Sequence, residues 1–415
     1  MVPERPRRWL NRTVGGAGLT SALGDFSYET TTVMLPGFLA VLGIPAAALG
    51  LIEGTADAVS SLTKMIAGYV ADKLGHRKAL VLVGYALTPL GHAFIAVAAG
   101  WPLLLVGRLV SWFGKGLRGP LRDAIVAQSI APETRGRAFG FHRAMDTVGA
   151  VGGPLLGVAL LGWAQRFAWA DEAGPFRFVF WLTLIPGALA VLAFLALVRD
   201  PEQTPNPTLR LLPALQALPA WFKRYLMAVG LFGTGDFSHS LLILAATQLL
   251  TPSRGVVEAA QIAGLLYVWR NLVQVVTSYP IGVLADRYGP LGVLVFGYGL
   301  GVLTAALTSV AFALSASNLL VFGAIFCVAG LYVATQEALE ASITANMVSG
   351  EALGVAYGAL GTVNGTTKFV SSTAVGAIWT LVSPVVSFGV AALLMGAGVA
   401  ALVTVRARSL PATRH

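Results

Sequence analysis

Long apolar runs divide this chain at intervals a lipid bilayer would set. A helix needs roughly 20 apolar residues to cross the hydrocarbon core. Twelve stretches meet that length: 14–41, 47–71, 79–99, 102–122, 138–161 and 176–198, then 222–249, 257–284, 291–313, 317–341, 353–381 and 384–405. The polar segment from Arg199 to Ala220, with Pro201, Pro205, Pro207, Pro213 and Pro219, separates the first six from the last six. Such a stretch reads as a linker. The expected organisation is therefore a six-helix bundle over 1–198, a linker over 199–221 and a second bundle over 222–415. The fold class is all-α and polytopic.

The halves repeat. Gly68-Tyr69-Val70-Ala71-Asp72-Lys73-Leu74-Gly75 returns as Gly282-Val283-Leu284-Ala285-Asp286-Arg287-Tyr288-Gly289, and Gly24-Asp25-Phe26-Ser27 returns as Gly235-Asp236-Phe237-Ser238. The offsets are 214 and 211 residues. Two unrelated motifs in one order and on one spacing mark a duplication, the architecture of many secondary transporters.

Composition supports burial in lipid. The chain is 56% hydrophobic and 11% charged, against about 25% charged in a soluble domain. Its net charge of +9 would point to nucleic acid in a soluble protein, but here the basic residues flank apolar spans. With alternating spans, Arg5, Arg7, Arg8, Arg12, Lys73, Arg77, Lys78, Arg118, Arg122, Arg135, Arg137, Arg287, Arg406 and the linker's basic residues fall on one side. The positive-inside rule places that side, both termini and the linker in the cytoplasm. Arg118, Arg122, Arg135 and Arg137 read as topological anchors in preference to substrate ligands. The basic segment Met1–Arg12 precedes a run too long for a signal-peptide core, so that run is expected to be a retained span. Cys327 is the single cysteine, so no disulfide forms within the chain, and no Cys/His metal spacing occurs.

Charges inside the spans are unevenly placed. Spans three, six, nine and twelve carry almost none, His92 excepted, whereas the other eight carry most of them. Every third span is thus built for lipid and the rest for a polar interior. An ionisable group in a bilayer is costly and is a functional candidate by default. Asp25 and Glu29 share a helix face, as do Glu53 and Asp57, and His142 and Asp146, with Arg143 three residues from Asp146. Arg108 and Lys115 lie two turns apart. Asp236 and His239, Arg270, and Lys368 complete the set in the second half. At ~1.5 Å per residue, Asp25, Glu29, Asp57, Asp146, Asp236, Arg270 and Lys368 lie roughly 12–24 Å from the cytoplasmic ends of their spans. Transporters place substrate and coupling-ion sites at that depth. Glu337 and Glu340 lie nearer the cytoplasmic end and read as gate residues. Pairs such as Asp146 with Arg143, or Asp57 with Lys64, would serve equally well as ion pairs that lock helices together.

Gly68-x-x-x-Asp72-Lys73-x-Gly75-x-Arg77-Lys78 resembles the signature loop of the major facilitator superfamily. The second copy keeps Gly282, Asp286, Arg287 and Gly289 but has Pro290 and Leu291 after it. The resemblance implies a pair of cytoplasmic latches, the second the weaker. Arg108 to Gly116 resembles that superfamily's second motif, whose buried arginine is implicated in proton handling. Gly149-x-x-x-Gly153-Pro154-x-x-Gly157 resembles the motif associated with its antiporters; plain helix packing would use the same small residues. The region from Gly114 to Asp146 is reminiscent of a prokaryotic branch of unassigned substrate.

The resemblance implies a twelve-helix monomeric secondary transporter of the cytoplasmic membrane, with two bundles around a central cavity and alternating access. Its expected partners are the lipid bilayer, a small-molecule solute and H⁺, with no nucleic acid and no cofactor. Proton and substrate exchange is expected at Asp25, Glu29, Asp57 and Asp146, with Asp236 behind them, and Arg108, Arg143, Arg270 and Lys368 are expected to hold an anion or discharge the acids. No Gly-x-x-x-x-Gly-Lys-Ser/Thr loop occurs, so ATP is not expected to drive it, and no motif points to an enzyme. H⁺-coupled export of a small organic or amphiphilic solute, H⁺-coupled import of an organic anion, and a non-transporting sensor are the three open functions.

Overall fold

The computed structural model describes residues 10–74, 77–130, 135–199, 216, 218–348 and 353–409. Within its helices, the side chains of 68–74, 135–137, 140, 353–354 and 407–409 fall outside the description. Gly75 and most of the linker are also outside it, as are the side chains of Gly68 and Asp72.

Thirteen helices account for the described residues, and no strand occurs among them. They are α1 (Arg12–Val41), α2 (Ala46–Leu74), α3 (Lys78–Val97), α4 (Trp101–Gln128), α5 (Arg135–Ala164), α6 (Gly174–Leu197), α7 (Ala220–Gly233), α8 (His239–Arg254), α9 (Val256–Tyr288), α10 (Pro290–Ala313), α11 (Leu319–Met347), α12 (Leu353–Leu381) and α13 (Pro384–Ser409). Eleven of the expected spans are single helices. The seventh is two, α7 and α8, separated at Thr234–Ser238. By length and composition α3, α5, α6, α10, α11 and α13 can cross a membrane. Of the remainder, α7 and α8 are too short, at 14 and 16 residues, and charges and hydroxyl residues interrupt the apolar runs of α1, α2, α4, α9 and α12. Some of the buried hydroxyls are satisfied within their own helices, as where Thr20 donates to the Gly16 carbonyl and Thr247 to that of Ile243.

Two compact units result. One comprises Met1–Phe38 and Leu62–Leu209, the other Leu39–Ser61 and Arg210–His415. The first half of α2 therefore belongs with the second unit. In the first unit, α3 and α4 touch backbone to backbone. A methyl group built on Gly91 would stand 2.3 Å from the Gly107 carbonyl oxygen, and one on Gly114 2.5 Å from that of Gly84. Only glycine permits this approach. In the second unit, Gly50 and Gly54 of α2 lie against Ser372 and Phe369 of α12 in the same manner. The outward face of α6 carries Trp181, Ile185, Leu189, Leu192 and Leu195, all exposed, as a lipid-facing helix requires.

The second copy of the repeated loop ends α9. Gly289, at φ +85°, turns the chain into α10, a conformation that glycine adopts without strain.

Candidate functional site

In the first unit the acids of α1 sit against the glycine face of α5. A methyl on Gly149 would lie 2.5 Å from Asp25 Cβ, and one on Gly153 2.9 Å from Glu29 Cβ. Gly157 meets Thr30 and Val33, and the Thr30 hydroxyl donates to the Gly153 carbonyl at 2.7 Å. Pro154 lies inside α5, within this packed stretch. The antiporter-like motif is thus the surface on which the two α1 carboxylates are seated.

A cationic ladder on α4 faces the same acids. Arg108, Lys115, Arg118 and Arg122 recur at spacings that share a helix face. Arg118 Nη2 lies 3.4 Å from Asp25 Oδ1, and its guanidinium carbon is 4.5 Å from the Tyr85 ring centroid. Gly24 makes room for that guanidinium. Arg122 is shared. It holds Asp123 Oδ1 at 3.0 Å, donates to Ser21 Oγ and reaches Asp146 Oδ1 at 4.0 Å. Ser21 also donates directly to Asp146, and His142 Nδ1 lies 3.5 Å from its other oxygen. Arg143 is 3.9 Å from Asp146 but is largely exposed. Arg118, buried, and Arg122, partly buried, both read from the sequence as topological anchors, are therefore partners of the acids. The periodicity 108, 115, 118, 122 was the signal that would have found them.

Arg108, fully buried, donates to Thr32 Oγ1 at 3.2 Å through both terminal nitrogens, and its guanidinium carbon is 5.3 Å from the centroids of Tyr28 and Trp112. Lys115 Nζ lies 3.6 Å from the Tyr28 centroid. The quadrupoles of these rings stabilise cations held away from water.

The second unit is organised by the break between α7 and α8. Asp236 lies in it, buried, receiving Gln336 Nε2 at 3.4 Å, with Lys368 Nζ at 3.9 Å. Ser238 caps α8, its backbone N–H donating to Ser372 Oγ at 3.0 Å and its hydroxyl to Glu53 Oε2 at 3.4 Å. Glu53 is wholly buried at that helix N-terminus, where the helix dipole favours negative charge. Asp57, one turn on, approaches Gly365 of α12 through its carbonyl. His239 stacks on Tyr267, centroids 5.1 Å apart. Arg270 donates to Asn271 Oδ1 at 2.7 Å and Gln274 Oε1 at 3.0 Å, and Gln274 passes a bond to Glu337 at 2.7 Å.

Glu340 has a different setting from Glu337. It is buried, with Tyr298 donating to Oε1 and Asn364 to Oε2, each at 2.6 Å. Among the described residues no cation forms an ion pair with it. Tyr298 and Asn364 were not expected from the sequence, because a lone tyrosine and asparagine in apolar helices carry no spacing signal.

The repeated loops are less informative. Asp286 and Arg287 are exposed in the last turn of α9. Arg77 is buried beside the start of α3, and Lys78 donates to the Leu195 and Val198 carbonyls at the C-terminal end of α6. A cation there offsets the negative end of the helix dipole. The side chain of Asp72 and the whole of Gly75 lie outside the description.

Charged groups ranged on facing helices of an all-helical, lipid-suited chain define a multi-pass membrane transporter. The chain belongs to the Major Facilitator Superfamily, whose profile matches residues 17–251. It is 28% identical over 398 residues to an uncharacterized MFS-type transporter of Methanocaldococcus jannaschii, covering 92% of each chain. Over 200 residues it is 31% identical to a multidrug resistance protein B homolog of Mycobacterium tuberculosis, covering 48% of this chain and 35% of that protein. Among solved structures, a mutant form of the nucleoside transporter NupG superposes with a TM-score of 0.77 at 15% identity, covering 96% of this chain and 100% of that one. The peptide transporter POT in complex with sulfate gives 0.75 at 15% identity, covering 97% and 96%.

Proposed function

We propose that this transporter exchanges H⁺ for a small organic or amphiphilic solute, exporting the solute by alternating access as a monomer in the cytoplasmic membrane, with both termini inside. The observation that carries this reading is the seating of Asp25 and Glu29 on Gly149 and Gly153 of the antiporter-like motif. The partial match to a multidrug resistance homolog supports the same direction.

The proton works on acids that already have alternative partners. A proton on Asp25 neutralises the carboxylate and weakens its hold on Arg118, which keeps the Tyr85 ring beneath it. A proton on Asp146 does the same for Arg122, which keeps Asp123 at 3.0 Å. Each event moves a guanidinium without leaving it bare, so proton binding can be felt by a solute near α4. The second-unit acids Asp57 and Asp236 take the corresponding role there, with Lys368 and Arg270 as counter-charges.

A second reading, H⁺-coupled import of an organic anion, has its own support. Arg118 Nη1 is buried with no hydrogen-bond acceptor among the described residues. A carboxylate or phosphate would satisfy it.

Proteoliposomes carrying an internal pH dye separate the readings. With an imposed pH gradient, adding the transported solute drives H⁺ the opposite way in the first reading and the same way in the second. Full proton coupling in both Asp25→Asn and Asp146→Asn would overturn the site assignment.

A further inference from the structure

We propose that the groove between α7 and α13 is a binding site for an anionic phospholipid of the surrounding bilayer. The two helices touch closely at one end and part at the other. A methyl on Gly398 would overlap the Phe232 backbone, and one on Gly235, just past the end of α7, would overlap the Ala391 carbonyl oxygen. Toward the start of α7 the helices diverge around a groove of about 400 Å³. Trp221, Arg224, Met227 and Leu231 form its α7 wall, and Ala401, Thr404 and Val405 its α13 wall.

The groove has two chemical parts. Along its length it is apolar. The one hydroxyl, on Thr404, is spent on its own helix at Ala401 O, and Met227 and Leu231 expose aliphatic surface. From Trp221 to Leu231 the helix rises ~15 Å, half of a hydrocarbon core of ~30 Å. One acyl chain of a single leaflet runs that depth. At the mouth stands Arg224, exposed, one turn into α7, and no carboxylate among the described residues pairs with it. Lys223 beside it is committed to the Gln216 carbonyl at 2.9 Å. Trp221 marks the level of the headgroups, where indole rings concentrate. A guanidinium grips a phosphate by two parallel hydrogen bonds. Arg224, with no described carboxylate beside it, favours a headgroup with no cation of its own.

The test uses the full chain in phosphatidylcholine vesicles containing brominated phosphatidylglycerol or brominated phosphatidylcholine, whose bromines quench nearby indoles. The fluorescence difference between the wild type and Trp221→Phe isolates the groove. That component half-quenches at a mole fraction of brominated phosphatidylglycerol roughly fivefold lower than of brominated phosphatidylcholine, the preference one interfacial cation gives. Arg224→Gln removes the preference and Lys223→Gln keeps it. Equal quenching by the two lipids in the wild type overturns the proposal. So does a loss of preference in Lys223→Gln as large as in Arg224→Gln, because surface charge in general would then be attracting the lipid.

Discussion

Arg118 holds Asp25 across the first unit, Nη2 to Oδ1 at 3.4 Å, while its own guanidinium lies over Tyr85. The pair is unequal in exposure: the arginine side chain is 4% exposed and the aspartate 20%. Asp25→Asn leaves the buried cation without its counter-charge. Breaking a buried pair costs roughly 3–5 kcal/mol, and the aspartate's exposure puts this case near the lower figure. Thermal unfolding in detergent should show the loss. The double variant Asp25→Asn with Arg118→Met should recover most of the stability but no proton-coupled transport. Recovery of both would make the pair a structural fastener only.

The glycine face of α5 gives a second expectation. On Gly149 a methyl group meets Asp25 Cβ at 2.5 Å and the Ala22 carbonyl oxygen at 3.0 Å, so α1 and α5 must part. Overpacking of this kind costs about 1–3 kcal/mol. Gly149→Ala should lower both thermal stability and transport, the latter by roughly tenfold or more, because Asp25 moves with the backbone. Gly15→Ala, on the facing helix α1 with open space around it, is the control and should leave both unchanged. Similar behaviour of the two variants would remove the packing argument.

Much of this fold was legible because a bilayer imposes its own period on sequence, and the apolar runs marked the helices to within a few residues. The break between α7 and α8 was not. The same Gly-Asp-Phe-Ser tetrapeptide lies within continuous helix at Gly24–Ser27 and in the break at Gly235–Ser238. Its first serine donates to the Thr183 carbonyl at 2.8 Å from inside α1. Its second lends its backbone N–H to Ser372 and its hydroxyl to Glu53, partners brought by α12 and α2. Neighbours from distant sequence decide the conformation, and no local propensity records them. The partners of Arg118 and Arg122 were hidden for a related reason, since a charge near a span end resembles an anchor alone until the facing helix supplies Asp25 and Asp146.

Glu340 offers a test of how much of a buried carboxylate is charge and how much is hydrogen bonding. Tyr298 and Asn364 both donate to it at 2.6 Å. Glu340→Gln keeps the shape and one acceptor oxygen, and the Tyr298 hydroxyl can turn to accept from the new amide. Glu340→Leu leaves two buried donors unsatisfied, at about 1–3 kcal/mol each. Chemical denaturation should therefore rank wild type, glutamine and leucine in descending stability, with the larger step at leucine. A glutamine variant as unstable as leucine would mean that the ionised form is what the second unit holds.

The seam between α2 and α12 can be fastened covalently. A methyl built on Gly54 stands 3.3 Å from Ser372 Cβ, close to the ~3.5–4.5 Å between the Cβ atoms of a disulfide. In a background with Cys327→Ala, the pair Gly54→Cys and Ser372→Cys should cross-link under mild oxidation, read as a mobility shift after cleavage in the polar segment between the halves. The proposed alternating access would be blocked by this cross-link only if α2 and α12, which share the second unit, part in some step of the cycle. Oxidised protein should then bind no more than one round of solute and transport none, with dithiothreitol restoring the rate. Efficient cross-linking with undiminished transport would mean that α2 and α12 travel as one piece, and that the moving boundary runs elsewhere in the molecule.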